Sequence, residues 1–149
     1  MPEKQTLERA KRDKRQGKSP STQAGEFVRE EMEHIREGKH GARSTKQAIA
    51  IGLSKARRSG VELPAPEKGT TSEKTRRSAQ RALRRGRSRT RPAASRSSAT
   101  RRALRREGRS AVSRRALSRQ ARSAARKRGP GSLQAAGRKA AATRARRKK

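Results

Sequence analysis

Apolar positions recur at one helical period in a single part of the chain, from Thr22 to Gly60. Ala24, Val28, Met32 and Ile35 fall on one stripe at about 100° per residue, with Phe27 beside it. Glu26, Glu30, Glu33 and Glu37 keep the same spacing on the opposite side, so the segment is predicted as an amphipathic helix with a solvated acidic face. Ser21 or Thr22 is placed to cap its start, and Gly38 to end it in the left-handed conformation. A second helix opens at Ser44, with Gln47 three residues on in a capping box. Its packing face is Ala48, Ile49, Gly52, Leu53 and Ala56, while Ile51 falls off this face and marks a further surface. Gly60 followed by Val61 reads as a helix stop with a hydrophobic contact back onto the last turn. The connection Lys39 to Arg43 is short, which predicts two antiparallel helices.

Within this hairpin, EEMEHIREGKHGARSTKQAIAIGLSKARRSG, Glu30 to Gly60, resembles an uncharacterised domain of small, basic bacterial proteins, in which a helix ending in a Gly-rich turn leads into a QAIAIGLSKAR-type helix. The resemblance covers the hairpin only. It implies a bacterial source and carries no established activity, although some similar proteins are labelled plasmid stabilisation or DNA-binding protein.

Outside the hairpin the pattern thins. In Met1 to Lys18 the apolar pair at helical spacing is Leu7 and Ala10, with Thr6 as a cap and Gly17 as a stop. A helix this short is marginal in water, so residues 1–20 are expected to be a mobile arm unless Leu7 docks on the hairpin. Pro64 and Pro66 prevent helix after Gly60 and favour an extended segment, which closes a hairpin domain at residues 21–66.

Charge changes the picture most in residues 67–149. Met1 to Pro66 holds 15 basic and 9 acidic residues, net +6; Glu67 to Lys149 holds 30 and 3, net +27, which together give the +33 of the chain. Such a composition buries too little apolar surface to offset chain entropy. The fold class is therefore all-α: a small helical hairpin, with room for a short N-terminal helix before it, followed by a long basic tail, largely disordered or nascent-helical and gaining helix on DNA. Arg-Ala-Leu-Arg recurs at Arg81 to Arg84 and at Arg102 to Arg105, with a looser copy from Arg115 to Ser118, and Gly86, Gly108 and Gly129 follow as helix stops. On a helix Arg115, Arg119, Arg122 and Arg126 share one side, and Leu117, Ala121 and Ala124 the other. Ser132 to Lys149 adds a capping Ser, an alanine-rich centre and a terminal basic cluster.

With 27% hydrophobic residues and one Phe, a large core is excluded. No cysteine is present, so disulfides and thiolate chemistry drop out. His34 and His40 lie six apart without the two-His, four-apart spacing of a zinc protease helix, and read as solvated surface residues; no metal and no cofactor is expected. No G-x-S-x-G turn or phosphate loop is present, so catalysis is not expected either. No apolar run approaches a membrane span, and the N-terminus lacks a signal-peptide core, which places the chain in the cytoplasm.

A charge of +33 calls for a polyanion. Without tail aromatics to stack on bases, duplex DNA is preferred over RNA as the partner. The residues expected to meet phosphate are Arg77, Arg81, Arg84 and Arg85; Arg101, Arg102, Arg105 and Arg106; Arg115, Arg119, Arg122 and Arg126; and Arg144, Arg146 and Arg147. The expected function is a non-enzymatic, sequence-tolerant DNA-binding protein of the bacterial nucleoid. The alternative is an adaptor whose hairpin takes a protein partner through its acidic face or Ile51 while the tail tethers that partner to RNA or DNA. A homodimer through Phe27, Met32 and Ile51 would enlarge the small core.

Overall fold

The computed structural model describes residues 1–88 and 93–147, with the side chain of Arg147 excepted. Six α-helices are present among these residues: α1 Lys4–Arg15, α2 Pro20–Arg36, α3 Thr45–Arg58, α4 Glu73–Ser88, α5 Ala94–Arg105 and α6 Arg114–Arg147, with a short 3-10 turn at Ser110–Val112. The chain divides into two units, Met1–Val112 and Ser113–Lys149.

The centre of the first unit is the α2–α3 pair. Ala48, Gly52 and Ala56 are buried one turn apart on α3, and a Cβ at Gly52 would lie 2.6 Å from the Cα of Val28. This small-residue stripe lets the two backbones nearly touch, whereas Ile49 and Leu53 are only half-buried at its margin. Phe27 and Ile35 are fully buried. Burying side chains of this size contributes about 1.5–3 kcal/mol each. The expected stops hold: Gly38 and Gly60 have φ of 79° and 91°, and the Val61 amide donates to the Ala56 carbonyl at 3.1 Å with Val61 buried. Two caps shift by a residue or more. Ser19 accepts from the Thr22 amide and Pro20 takes the first helical position, where its missing N–H costs nothing. Ser44 accepts from the Gln47 amide as expected, but the Gln47 side chain receives the Arg43 amide at 2.7 Å.

The N-terminal segment is a docked helix rather than a mobile arm, the second of the two states expected for residues 1–20. Ala10 of α1 joins Ala24, Phe27, Ala56 and Val61 in one apolar cluster, with Leu7, Leu53 and Leu63 packed against it. That contact supplies what an isolated helix of 12 residues lacks. The extended segment after Gly60 is pinned by buried Arg57, whose guanidinium donates to the carbonyls of Leu63 and Pro64, each at 3.0 Å.

The expectation of a largely disordered basic tail does not hold, because residues after Pro66 are helical over α4, α5 and α6. Ala, Arg, Leu, Gln and Lys are all strong helix formers. Their summed propensity outweighs like-charge repulsion of a few tenths of a kcal/mol per pair. In α4 packing adds to propensity: Ala79, Ala82 and Gly86 are buried against α3. Gly86, expected as a helix stop, lies inside α4, where a Cβ would overlap the carbonyl oxygen of Arg57. Further along, residues 104–112 close over the α2–α3 connection. The Gly41 amide donates to the Leu104 carbonyl at 2.9 Å, the Ala42 amide to Gly108 at 3.0 Å, and the Thr45 hydroxyl to Ala111 at 2.5 Å.

In the second unit, α6 breaks at Gly129 (φ 74°, ψ 168°) just before Pro130, at the position expected for a stop. Gly86→Ala and Gly137→Ala should have opposite signs. The first forces α4 off α3 and should lower stability by about 1–3 kcal/mol. The second meets open space in a helix and should raise helicity, by about 1 kcal/mol at most. Hydrogen exchange on each variant, read at α4 and α6 amides, checks both.

Candidate functional site

On α4 the buried Ala79, Ala82 and Gly86 fix the rotation of the helix, so Arg77, Arg81 and Arg84 are exposed and Arg85 is half-buried. Ser72 caps the helix through the Thr75 amide, and Glu73 in its first turn pairs with Arg76 at 2.9 Å and Arg77 at 3.2 Å. These contacts hold the Glu73 carboxyl below its ordinary range, the Arg76 hydrogen bond first. Arg77 is thus partly committed, while Arg81 and Arg84 carry no carboxylate partner among the described residues.

Close approach at Gly86 brings in a residue that sequence reasoning missed. Arg58 is exposed at the end of α3, yet partial desolvation of its guanidinium and then the neighbouring Arg85 charge press it below its ordinary value. The Arg58 and Arg85 charges, carried on different helices, thus repel each other. The signal was absent from the sequence because α3 and α4 are joined only by tertiary packing.

On α5, Arg101, Arg102 and Arg105 are exposed, as is Arg106 at its C-terminal cap. In the second unit Arg115, Arg119, Arg122 and Arg126 are all exposed along one side of α6 before the break, and Arg144 and Arg146 are exposed near its end. The four-arginine row covers about 16 Å of helix at a rise of about 1.5 Å per residue. No acidic residue follows Glu107, so nothing in the second unit can neutralise it. The side chain of Arg147, and Lys148 and Lys149 of the terminal cluster, lie outside the described residues, as do residues 89–92 of the Arg-Ser stretch.

The acidic side of α2 differs most from expectation. Of the four glutamates expected on a solvated face, Glu33 and Glu37 are about half-exposed but Glu30 is 3% exposed, and Glu31, outside that row, is fully buried. Lys55 of α3 reaches both, with Nζ 2.6 Å from Glu31 Oε2 and 3.5 Å from Glu30 Oε1. The Glu3 amide donates to the other Glu30 oxygen at 3.1 Å. His40 places Nε2 3.1 Å from Glu31 Oε1, and His34 places Nε2 2.9 Å from Glu3 Oε1, which also receives Lys39 at 3.2 Å. The hydrogen bond from His34 and then that from Lys39 hold the Glu3 carboxyl below its ordinary range. Both histidine side chains are largely covered, 13% and 16% exposed, which corrects the reading of two solvated surface histidines. The burial has a cause: Glu30 and Glu31 lie between α3 and the chain N-terminus, whose cations and amides take their charge.

Among the described residues no helix is long and apolar enough to cross a membrane. No curated protein and no solved structure matches the chain. Residues 4–68, which span α1 through α3 and the pinned segment after it, match a family described as a family of unknown function (DUF6496).

Proposed function

We propose that the protein is a non-enzymatic, sequence-tolerant DNA-binding protein of the bacterial nucleoid, with the helical unit Met1–Val112 as its body and α6 as its principal phosphate-binding element. The observation that carries this reading is the row Arg115, Arg119, Arg122 and Arg126, exposed on one side of a formed helix with no acidic residue after Glu107. A helix presenting fixed guanidinium groups loses less side-chain and backbone freedom on contact than a disordered chain would. Arginine forks hold phosphate oxygens bidentately, and phosphate contacts position a protein without reading bases. Arg81 and Arg84 of α4, with the Arg58–Arg85 pair beside them, supply a second basic surface on the first unit. On the acidic side of α2, Glu30 and Glu31 are engaged internally, so they offer little to an outside basic partner.

Replacing Arg115, Arg119, Arg122 and Arg126 together by Gln should weaken binding to every duplex alike. It should also make the salt dependence shallower by about 3 to 4 in log K against log salt. Fluorescence anisotropy with several unrelated duplexes reads both quantities. An unchanged affinity would remove α6 from the interface, and a loss confined to one duplex would mean base recognition instead.

A further inference from the structure

We propose that Glu31, His34 and His40 form a binding site for one divalent transition-metal ion of the Zn²⁺ class. Glu31 and His34 stand three apart on α2 and so share a face. His40 returns to them because Gly38, at φ 79°, reverses the chain after the helix. The result is a set of three ligand atoms, one per residue, all within 4.8 Å of one another. The two imidazole rings are 6.1 Å apart between centroids and stand at 85°, so they approach the carboxylate from different directions.

The second observation lies in Glu31 itself. Its side chain is wholly buried, with Lys55 Nζ 2.6 Å from Oε2 and His40 Nε2 3.1 Å from Oε1, and neither contact has the geometry of a hydrogen bond. The Lys55 ammonium serves Oε2, which leaves Oε1 as the buried oxygen that a further cation would satisfy. The tautomer of His40 sharpens the point. Its Nδ1 lies 3.1 Å from the Gly41 carbonyl, which can only accept, so Nδ1 carries the proton. Where Nε2 carries no proton, His40 aims its lone pair at Glu31 Oε1, 3.1 Å away. Two acceptors facing each other need a cation between them: a second proton on the ring, or a metal ion. The separation suits the ion, since ligands held at about 2.0–2.1 Å from a tetrahedral centre stand roughly 3.3 Å apart.

The surroundings follow the same logic. Glu3 engages His34 Nε2, leaving Nδ1 for the ion and orienting the ring as a carboxylate partner does in histidine metal sites. The connected groups are four carboxylates (Glu3, Glu30, Glu31, Glu37) and two ammonium groups (Lys39, Lys55). With neutral imidazoles that sums to −2, which a divalent ion offsets. The overall +33 does not forbid this, because at physiological salt its distant charges are screened over about 8 Å. A nitrogen-rich donor set without thiolate favours Zn²⁺, Co²⁺ or Ni²⁺ over Mg²⁺ or Ca²⁺.

The chain has two histidines, so the test can be read on the intact protein. After stripping with chelator, Zn²⁺ is titrated while the imidazole nitrogens are followed by NMR, and Co²⁺ is titrated while its visible absorption is followed. The expected result is saturation at one ion per chain, with His40 Nε2 and His34 Nδ1 both shifting and a tetrahedral Co²⁺ spectrum. His40→Gln and Glu31→Gln, each checked by circular dichroism for retained helix, should weaken binding at least tenfold. Absence of stoichiometric saturation at micromolar metal, or a shift at one histidine alone, would overturn the site. An imidazolium at His40 that ignores added metal would show a plain ion pair in its place.

Discussion

Raising salt from 50 to 200 mM should weaken binding of the full chain to an arbitrary DNA duplex by about 10⁵-fold, with log K falling against log salt at a slope of about −9. The magnitude follows from the number of phosphates neutralised together. A duplex carries one charge per about 1.7 Å of axis, so the 16 Å row on α6 alone lies along a length bearing roughly ten phosphates. Arg81, Arg84 and the Arg58–Arg85 pair add contacts on the first unit. These eight arginines, with some of the exposed Arg101, Arg102, Arg105, Arg106, Arg144 and Arg146, are enough to neutralise about ten phosphates at once, which gives the quoted slope; unrelated sequences should give the same value because phosphate geometry does not depend on sequence to first order. A measured slope shallower than about −3 would reject binding along the duplex.

Lys55→Met should destabilise the first unit by about 3–5 kcal/mol, one of the larger effects open to any single substitution in this chain. Lys55 Nζ is the closest cation to the fully buried Glu31 and also reaches Glu30, so its removal strands buried negative charge. Restoring neutrality should recover the loss. In the double variant Lys55→Met with Glu31→Leu no buried charge is left unpaired, and an apolar pair of similar volume is commonly as stable as the ions it replaces. Lys39→Met is the control, since its pairs with Glu3 and Glu37 are half-exposed and should contribute little. Urea denaturation of the four proteins in the presence of chelator checks the set. Equal, small effects at Lys55 and Lys39 would show that Glu31 is not energetically buried.

Much of the first unit was legible along the chain because its signals are local. The α2 and α3 helices, the left-handed Gly38, the Ser44 cap and the Gly60–Val61 stop each depend on residues within about one turn of one another, and the structure keeps all of them. The arginine spacing on α6 was equally readable, since a single helix needs no partner to define its sides. Charge, too, is a property of composition alone.

The tertiary structure decided what local pattern could not. Packing through Ala79, Ala82 and Gly86 leaves almost no hydropathy signal, because close backbone approach works through the absence of side chain; α4 therefore reads as tail in the sequence and as a docked helix in the fold. The docking of α1 turned on whether Leu7 and Ala10 would meet Phe27, a contact between helices. Burial of Glu30 and Glu31 was invisible for a related reason. A glutamate one turn from the apolar stripe is solvated or buried according to whether a cation reaches it. Here that cation is Lys55, 25 residues away from Glu30, with the Glu3 amide 27 residues away on its other side. Sequence periodicity assigns faces to a helix, and only the neighbours that arrive on each face determine whether a charge there meets water, a lysine or a metal ion.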